Sequence, residues 1–225
     1  QTVVMKDASI TVNKIDEETE EPVSDAEFSV FDEEGNLVDQ WITDGRAHAV
    51  SHLEAGKEYT LKETKTPRGY QTVADSTFTV SGEEDLSLEI KEKPVLVNIQ
   101  VNKIDANTKK LIKDKDFEFT LYNDPDCIYS ITSASSKDGS ATFKSLRYGT
   151  YYIKETKAPL GYHLSNEVKK VVIDENVKGD TYTFDYENKP IEIIMTGDST
   201  HLLSIMGLCL VSMIGAVFIL IKKRI

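Results

Sequence analysis

The sequence predicts an all-β chain of two tandem Greek-key β-sandwiches, followed by one C-terminal transmembrane helix. Three observations lead there. Short segments alternate apolar and polar residues between turn signals. One set of motifs occurs twice in the same order. The last stretch, Leu202 to Ile221, runs for twenty residues without a charge.

The alternation is clear in Ala26-Glu27-Phe28-Ser29-Val30 and its counterpart Phe117-Glu118-Phe119-Thr120-Leu121. Turn signals such as Glu34-Gly35-Asn36, Asp44-Gly45 and Asp138-Gly139 separate such runs. No stretch before the terminal apolar run holds a helical period. Six or seven strands in about 95 residues suit a Greek-key sandwich.

The repeat sets the domain boundaries. Val12-Asn13-Lys14-Ile15-Asp16 returns as Val101-Asn102-Lys103-Ile104-Asp105. Leu61-Lys62-Glu63-Thr64-Lys65-Thr66-Pro67-Arg68-Gly69-Tyr70 returns as Ile153-Lys154-Glu155-Thr156-Lys157-Ala158-Pro159-Leu160-Gly161-Tyr162. Glu92-Lys93-Pro94 returns as Asn188-Lys189-Pro190. The expected units are 1–94 and 95–190, with 191–225 as a terminal signal. Lys93-Pro94-Val95-Leu96-Val97 joins the units almost without a linker, which predicts two stiff beads end to end.

Twenty residues at 1.5 Å rise match a hydrocarbon core of about 30 Å. Lys222, Lys223 and Arg224 follow, placing the tail in the cytoplasm and the repeats outside. An outside N-terminus needs an export signal, expected upstream of Gln1. Cys209 lies in the span and cannot pair with Cys127 in an extracellular domain. The net charge of −12 argues against nucleic acid and anionic lipid as partners of the chain as a whole. Two cysteines leave little room for a disulfide framework or a zinc site. His48 and His52 lack the helical context that would aim both at one metal, so no metal is expected. Trp41 reads as a strand residue packing locally. With no nucleophile motif, an enzyme acting on an external substrate is not expected, nor is a cofactor.

The period of two then places polar groups inside. Val97, Ile99 and Val101 share the inward face with Lys103; Tyr151 and Ile153 with Glu155; Tyr182, Phe184 and Tyr186 with Asn188. Unpaired, such groups cost several kcal/mol in an apolar core, so they are expected to meet. Burial favours the neutral amine of a lysine and the protonated form of a carboxylic acid. A neutral amine can attack an asparagine carbonyl while a carboxyl group shuttles protons, leaving an amide and releasing ammonia. A buried salt bridge with an amide bystander is the other reading of the same pattern.

The Lys14 and Lys103 motifs, the segments Tyr59–Tyr70 and Tyr151–Tyr162, and Asn188-Lys189-Pro190 resemble the B-type collagen-adhesin repeat, or SpaA-type pilin domain, of Gram-positive surface proteins. The resemblance covers nearly all of 1–190 and implies a prealbumin-like sandwich with an autocatalytic isopeptide bond. Carried over, Lys103 is the amine, Asn188 the acceptor and Glu155 the catalytic acid. The first unit departs from the pattern: Leu86, Leu88 and Ile90 lead inward to Glu92, which has no amide to expel. Lys14, Glu63 and Glu92 are expected to form a buried ionic cluster sharing one proton, without a crosslink.

The tail resembles a sortase sorting signal, with Ile193-Ile194-Met195-Thr196-Gly197 in the motif position and cleavage implied between Thr196 and Gly197. Ile194 replaces the family's proline, so either a sortase of altered specificity reads the motif or the protein stays in the membrane. The implied function is structural: a pilus or stalk subunit at the cell surface, with sortase, peptidoglycan and other pilin subunits as partners. The alternative is an adhesin module for a host or matrix ligand. The short distance from Asn188 to Thr196, without a Pro-rich wall-crossing spacer, favours the first. The pilin Tyr-Pro-Lys motif is absent from 1–225, leaving backbone status open.

Overall fold

The computed structural model describes residues 7–81 and 86–192. The expected span 202–221, the motif 193–197 and the basic tail lie outside the described residues. Among the described residues, no helix is long and apolar enough to cross a membrane.

Among the described residues the first unit contains seven strands: Asp7–Asp16 (β1), Ser24–Phe31 (β2), Leu37–Asp44 (β3), His48–Glu54 (β4), Glu58–Lys65 (β5), Ser76–Thr79 (β6) and Leu86–Glu92 (β7). The second repeats them as Val97–Asp105 (β8), Phe117–Tyr122 (β9), Ser130–Ser136 (β10), Ser140–Leu146 (β11), Gly149–Lys157 (β12), Val168–Ile173 (β13) and Thr181–Asn188 (β14). Each unit is a sandwich of a three-stranded and a four-stranded sheet. The orders are β4-β1-β7 over β3-β2-β5-β6, and β11-β8-β14 over β10-β9-β12-β13. The second topology is the first shifted by seven strands.

All pairings are antiparallel except those joining the first and last strands. β1 runs parallel to β7, with Lys14 opposite Ile90, and β8 runs parallel to β14, with Lys103 opposite Tyr186. In each unit both strands therefore finish at the same end of the sandwich, where the lysine and the last inward residue of its partner strand come together.

Inward residues from both sheets close each core. Ile10, Phe28, Val30, Val50 and Leu61 fill the first, and Ile99, Val101, Phe119, Phe143 and Ile153 the second. Burial alternates along β7, and along β8 as far as Lys103, as the period of two requires. Tyr182 departs from the expectation: it shares the face of Tyr186 but is 37% exposed. β14 is an edge strand, and the first rings along it lie at the open side of the sandwich.

The join is tied rather than loose. Val95 N–H donates to Gly69 O at 2.8 Å, and Gln71 N–H to Lys93 O at 2.9 Å. Gly69 occupies the left-handed region with φ 86°, in a turn closed by Tyr70 N–H on Pro67 O. A Cβ there would lie 3.4 Å from the Tyr148 side chain of the second unit. Beside it, Arg147 donates to both Asp16 oxygens and, at 2.7 Å, to Glu18 Oε2. The Arg147 guanidinium, against the effect of burial and with help from Thr19 N–H, the Tyr70 hydroxyl and Glu18 N–H, holds the Asp16 carboxyl well below the usual carboxylate range.

A fork of charge-assisted bonds between rigid bodies fixes orientation as well as distance. Arg147→Ala is expected to broaden the distribution of interdomain angles seen by small-angle scattering, with each sandwich still folded. A lowered carboxyl pKa contributes stability above the ordinary value and loses it only as pH falls through the lower one. The wild-type scattering profile should therefore stay constant from about pH 8 to about pH 5; a joint that opens inside that window would rule out Asp16 as its anchor.

Candidate crosslinking site

The parallel pairing of β8 and β14 places Lys103 and Asn188 side by side, and β12 of the facing sheet supplies Glu155. The side chains of Lys103 and Glu155 are fully shielded from solvent, and Asn188 is 1% exposed. Lys103 Nζ donates to Asn188 Oδ1 and lies 2.6 Å from Glu155 Oε1. Asn188 Nδ2 donates to both Glu155 oxygens, at 2.9 and 2.8 Å, and to His163 O at 2.8 Å. Amine, acid and amide thus meet at one point, each in contact with the other two.

Aromatic rings line the pocket: Lys103 Nζ lies 4.9 Å from the Phe119 centroid and 4.4 Å from that of Tyr186. Burial pushes the Lys103 ammonium down to about 8, against Glu155 and Glu167, which favour the charge. At that value roughly a tenth of the amine is neutral at pH 7.

Segment 163–167 closes the site, and its role did not emerge from sequence. Ser165 N–H donates to Glu155 Oε2 at 2.8 Å, while the Tyr186 hydroxyl holds the segment through Glu167 O at 2.7 Å. Two further pairs were also missed. The Tyr70 hydroxyl donates to Asp16 and the Tyr162 hydroxyl to Asp105, at 2.8 and 2.7 Å. Each aspartate also accepts two backbone N–H groups of the turn that follows it. The recurrence of Lys-Ile-Asp and Gly-Tyr in both copies was the available signal: the aspartate and tyrosine fix the end of the sandwich where the lysine sits.

In the first unit the equivalent positions assemble differently. Lys14 Nζ lies 2.9 Å from Glu63 Oε1 and 2.8 Å from Glu92 Oε1, with all three side chains shielded from solvent. Glu63 also accepts Val73 N–H at 2.9 Å, as Glu155 accepts Ser165. Glu92 accepts no such backbone N–H among the described residues; the groups that face it are Lys14 and Glu63. Burial first, then the neighbouring Glu63 carboxyl, push Glu92 up to about 7, while Lys14 acts in the opposite sense. Glu63 is held below its ordinary value: burial opposes its charge, but Glu92, Val73 N–H and Lys14 outweigh it. The proton of the pair therefore resides on Glu92.

The remaining candidates are structural. His48 Nε2 lies 2.8 Å from Asp39 Oδ2, and its ring stacks on Trp41 at 4.1 Å, bridging the two sheets. Among the described residues, no group of three or more His, Cys, Asp and Glu side chains is arranged to hold a metal. Cys127 is a free thiol whose pKa burial raises.

A carboxyl with a raised pKa stabilises the fold below its unfolded value and loses that contribution as pH rises through the folded one. The first unit should lose stability between its ordinary value of 4.5 and about 7, by on the order of 2 kcal/mol. Trp41 is the one tryptophan in the sequence, so its fluorescence during urea unfolding reads this unit alone. Glu92→Gln is expected to flatten that decline; an unchanged slope would place the titrating proton elsewhere.

No curated protein sequence matches the chain. Among solved structures, the Bacillus anthracis TIE protein superposes with a TM-score of 0.70 at 28% identity, covering 82% of this chain and 34% of that one. The chain thus spans about a third of that protein. The C-terminal fragment of pilus adhesin SpaC from Lactobacillus rhamnosus GG gives 0.49 at 18% identity over 83% and 98%. A streptococcal ancillary pilin gives 0.37 at 19% over 84% and 64%. The SpaA family, described as a prealbumin-like fold domain, matches twice, over residues 8–94 and 97–190. With four-fifths of its length in those two matches, the chain belongs to the SpaA family of prealbumin-like domains.

Proposed function

We propose that the chain is a cell-surface structural protein of a Gram-positive bacterium, a pilus or stalk subunit stiffened by an amide between Lys103 and Asn188. The observation that carries this reading is the convergence of Lys103, Glu155 and Asn188 in a site closed to solvent.

The chemistry balances within the site. The proton of the Lys103 ammonium passes to Glu155 Oε1, leaving a neutral amine beside a carboxylic acid. Nζ attacks Cγ of Asn188, and the carbonyl takes up the electron pair. Glu155 then gives a proton to the departing Nδ2 and takes one from Nζ. The C–N bond to Nδ2 breaks, ammonia leaves, and an amide joins β8 to β14. The protein acts only on itself. Both Nδ2 bonds to Glu155 lie along this transfer path.

The bond closes a loop with 84 residues between its ends, a restriction of the unfolded chain worth about 4–5 kcal/mol in the chain-entropy account. Tension entering β8 would pass directly to β14 without drawing out the strands between them. Lys14 and Glu92 span a similar loop but offer no leaving amide, so the first unit is uncrosslinked in this reading.

Anchoring follows from the tail. The run 202–221 crosses the membrane with the basic residues inside, and a sortase of altered specificity joins Thr196 to peptidoglycan or another pilin subunit. Digestion of the wall with a muralytic enzyme should then release a form ending at Thr196. Recovery only from detergent-extracted membrane, with 197–225 attached, would exclude sortase processing.

The crosslink is read by mass. Recombinant 95–190 is expected to weigh one ammonia less than its sequence, and 1–94 to show no deficit. Asn188→Ala or Glu155→Ala should restore the full mass and markedly lower the melting temperature. An unmodified mass for wild-type 95–190 would return the trio to a buried polar cluster. A deficit of one water in 1–94 would make Glu92 an acceptor.

A further inference from the structure

The loop that follows the Lys-Ile-Asp motif reverses its charge between the two units. In the first it carries Glu17, Glu18, Glu20 and Glu21 and no base; in the second, Lys109, Lys110, Lys113 and Lys115 against Asp114 and Asp116. The acidic loop has its partner in view, since Glu18 and the adjoining Asp16 receive Arg147 of the next unit. The basic loop occupies the same end of the second unit, where the chain leaves toward residue 193. It faces no further unit within the described residues.

This end is assembled from several loops in contact. Asp114 N–H donates to Lys137 O, and Ile191 N–H to Gly161 O, at 2.7 and 2.8 Å. Lys115 Nζ sits 4.9 Å from the Tyr162 ring. Some lysines are spent locally: Lys109 pairs with Glu187 at 2.7 Å, and Lys137 lies 3.5 Å from Asp116. Lys110, Lys113 and Lys189 are exposed and have no acidic partner among the described residues. Between them stand aliphatic side chains in solvent: Leu160 at 85% exposure, Leu164 at 52%, Ile191 at 49% and Leu111 at 42%. Lysines interleaved with exposed aliphatics fit an anionic, partly apolar layer.

Chain length identifies the layer. Nine residues separate Glu192 from Leu202, and an extended chain of that length reaches about 30 Å. We propose that this end of the second unit seats on the headgroups of anionic lipids around the chain's own membrane span, holding Thr196 and Gly197 at the membrane surface before processing. The proposal rests on the reading of 202–221 as a span. The first unit carries the chain's excess of acidic residues and is repelled by such a surface, so the contact also orients the two units outward.

The full chain, reconstituted into phosphatidylcholine vesicles with or without about 30% phosphatidylglycerol, tests this. Flotation after alkaline carbonate reads the span; acetylation rates by mass spectrometry read the seated end. Phosphatidylglycerol is expected to slow labelling of Lys110, Lys113 and Lys189 about threefold or more, an effect lost in about 0.5 M salt. Lys57 and Lys62 in the first unit should label equally on both vesicles. The double variant Lys110→Glu, Lys113→Glu should lose the protection at Lys189 while floating as before. Equal rates on both vesicles in protein that floats would overturn the proposal and leave this end to an acidic protein partner. Failure to float would remove the span, and the proposal with it.

Discussion

Parallel pairing of the first and last strands is the constraint on which both units depend, because it brings two strand ends to the same end of the core. Antiparallel neighbours would set Lys103 opposite the beginning of β14, among its threonines and tyrosines. Run parallel, β8 and β14 place the lysine two residues from the register position of Asn188. Each strand there has one more inward position than the apolar side chains fill. A polar pair in that position is stable only if every group finds a partner. Glu155, from the facing sheet, satisfies both Lys103 and Asn188, and segment 163–167 covers the Glu155 oxygen and the Asn188 amide that face outward.

The two units solve the same burial problem in different ways. In the second, one amide and one carboxylate surround the lysine, and every donor of Asn188 is used. In the first, two carboxyl groups share one lysine, and among the described residues no backbone N–H supports Glu92 as Val73 supports Glu63. Two negative charges beside one positive charge in a desolvated site are unfavourable, so one proton stays. The first arrangement is a titrating cluster and the second a reactive one. The difference comes down to the replacement of an amide by a longer acid at the end of β7.

Much of this could be read from the sequence because its information is local. A period of two assigns faces within a strand, so Lys103, Glu155 and Asn188 were expected inward and are found there. The repeat exposed both the shared architecture and the departure at Glu92. Tyr182 was misplaced because a face assignment says nothing about whether a strand lies at a sheet edge. The joint was out of reach for a related reason: Arg147 and Asp16 are 131 residues apart, and no periodicity links a loop arginine to a distant aspartate. The hydroxyl bonds of Tyr70 and Tyr162 were equally hidden, although the recurrence of both partners marked them as worth explaining.

The joint also gives the tandem array a direction. The second unit presents Arg147 between β11 and β12, and the first presents Asp16 and Glu18 to receive it. The position of Arg147 in the first unit is held by Glu54, next after Leu53 of β4, as Arg147 is next after Leu146 of β11. That glutamate would repel an acidic socket of the first unit's kind. The socket position in the second unit keeps Asp105 and Tyr162, but Asn107 stands where Glu18 receives Arg147, and Lys109 and Lys110 stand in place of Glu20 and Glu21. The contact that holds these two units together is therefore not one that identical copies can repeat end to end. The interface is specific to this pair in this order: a basic loop on an acidic one, with the chain crossing between them through Lys93 and Pro94. Specificity of this kind comes from like charges placed against the wrong partner as much as from the bonds formed with the right one.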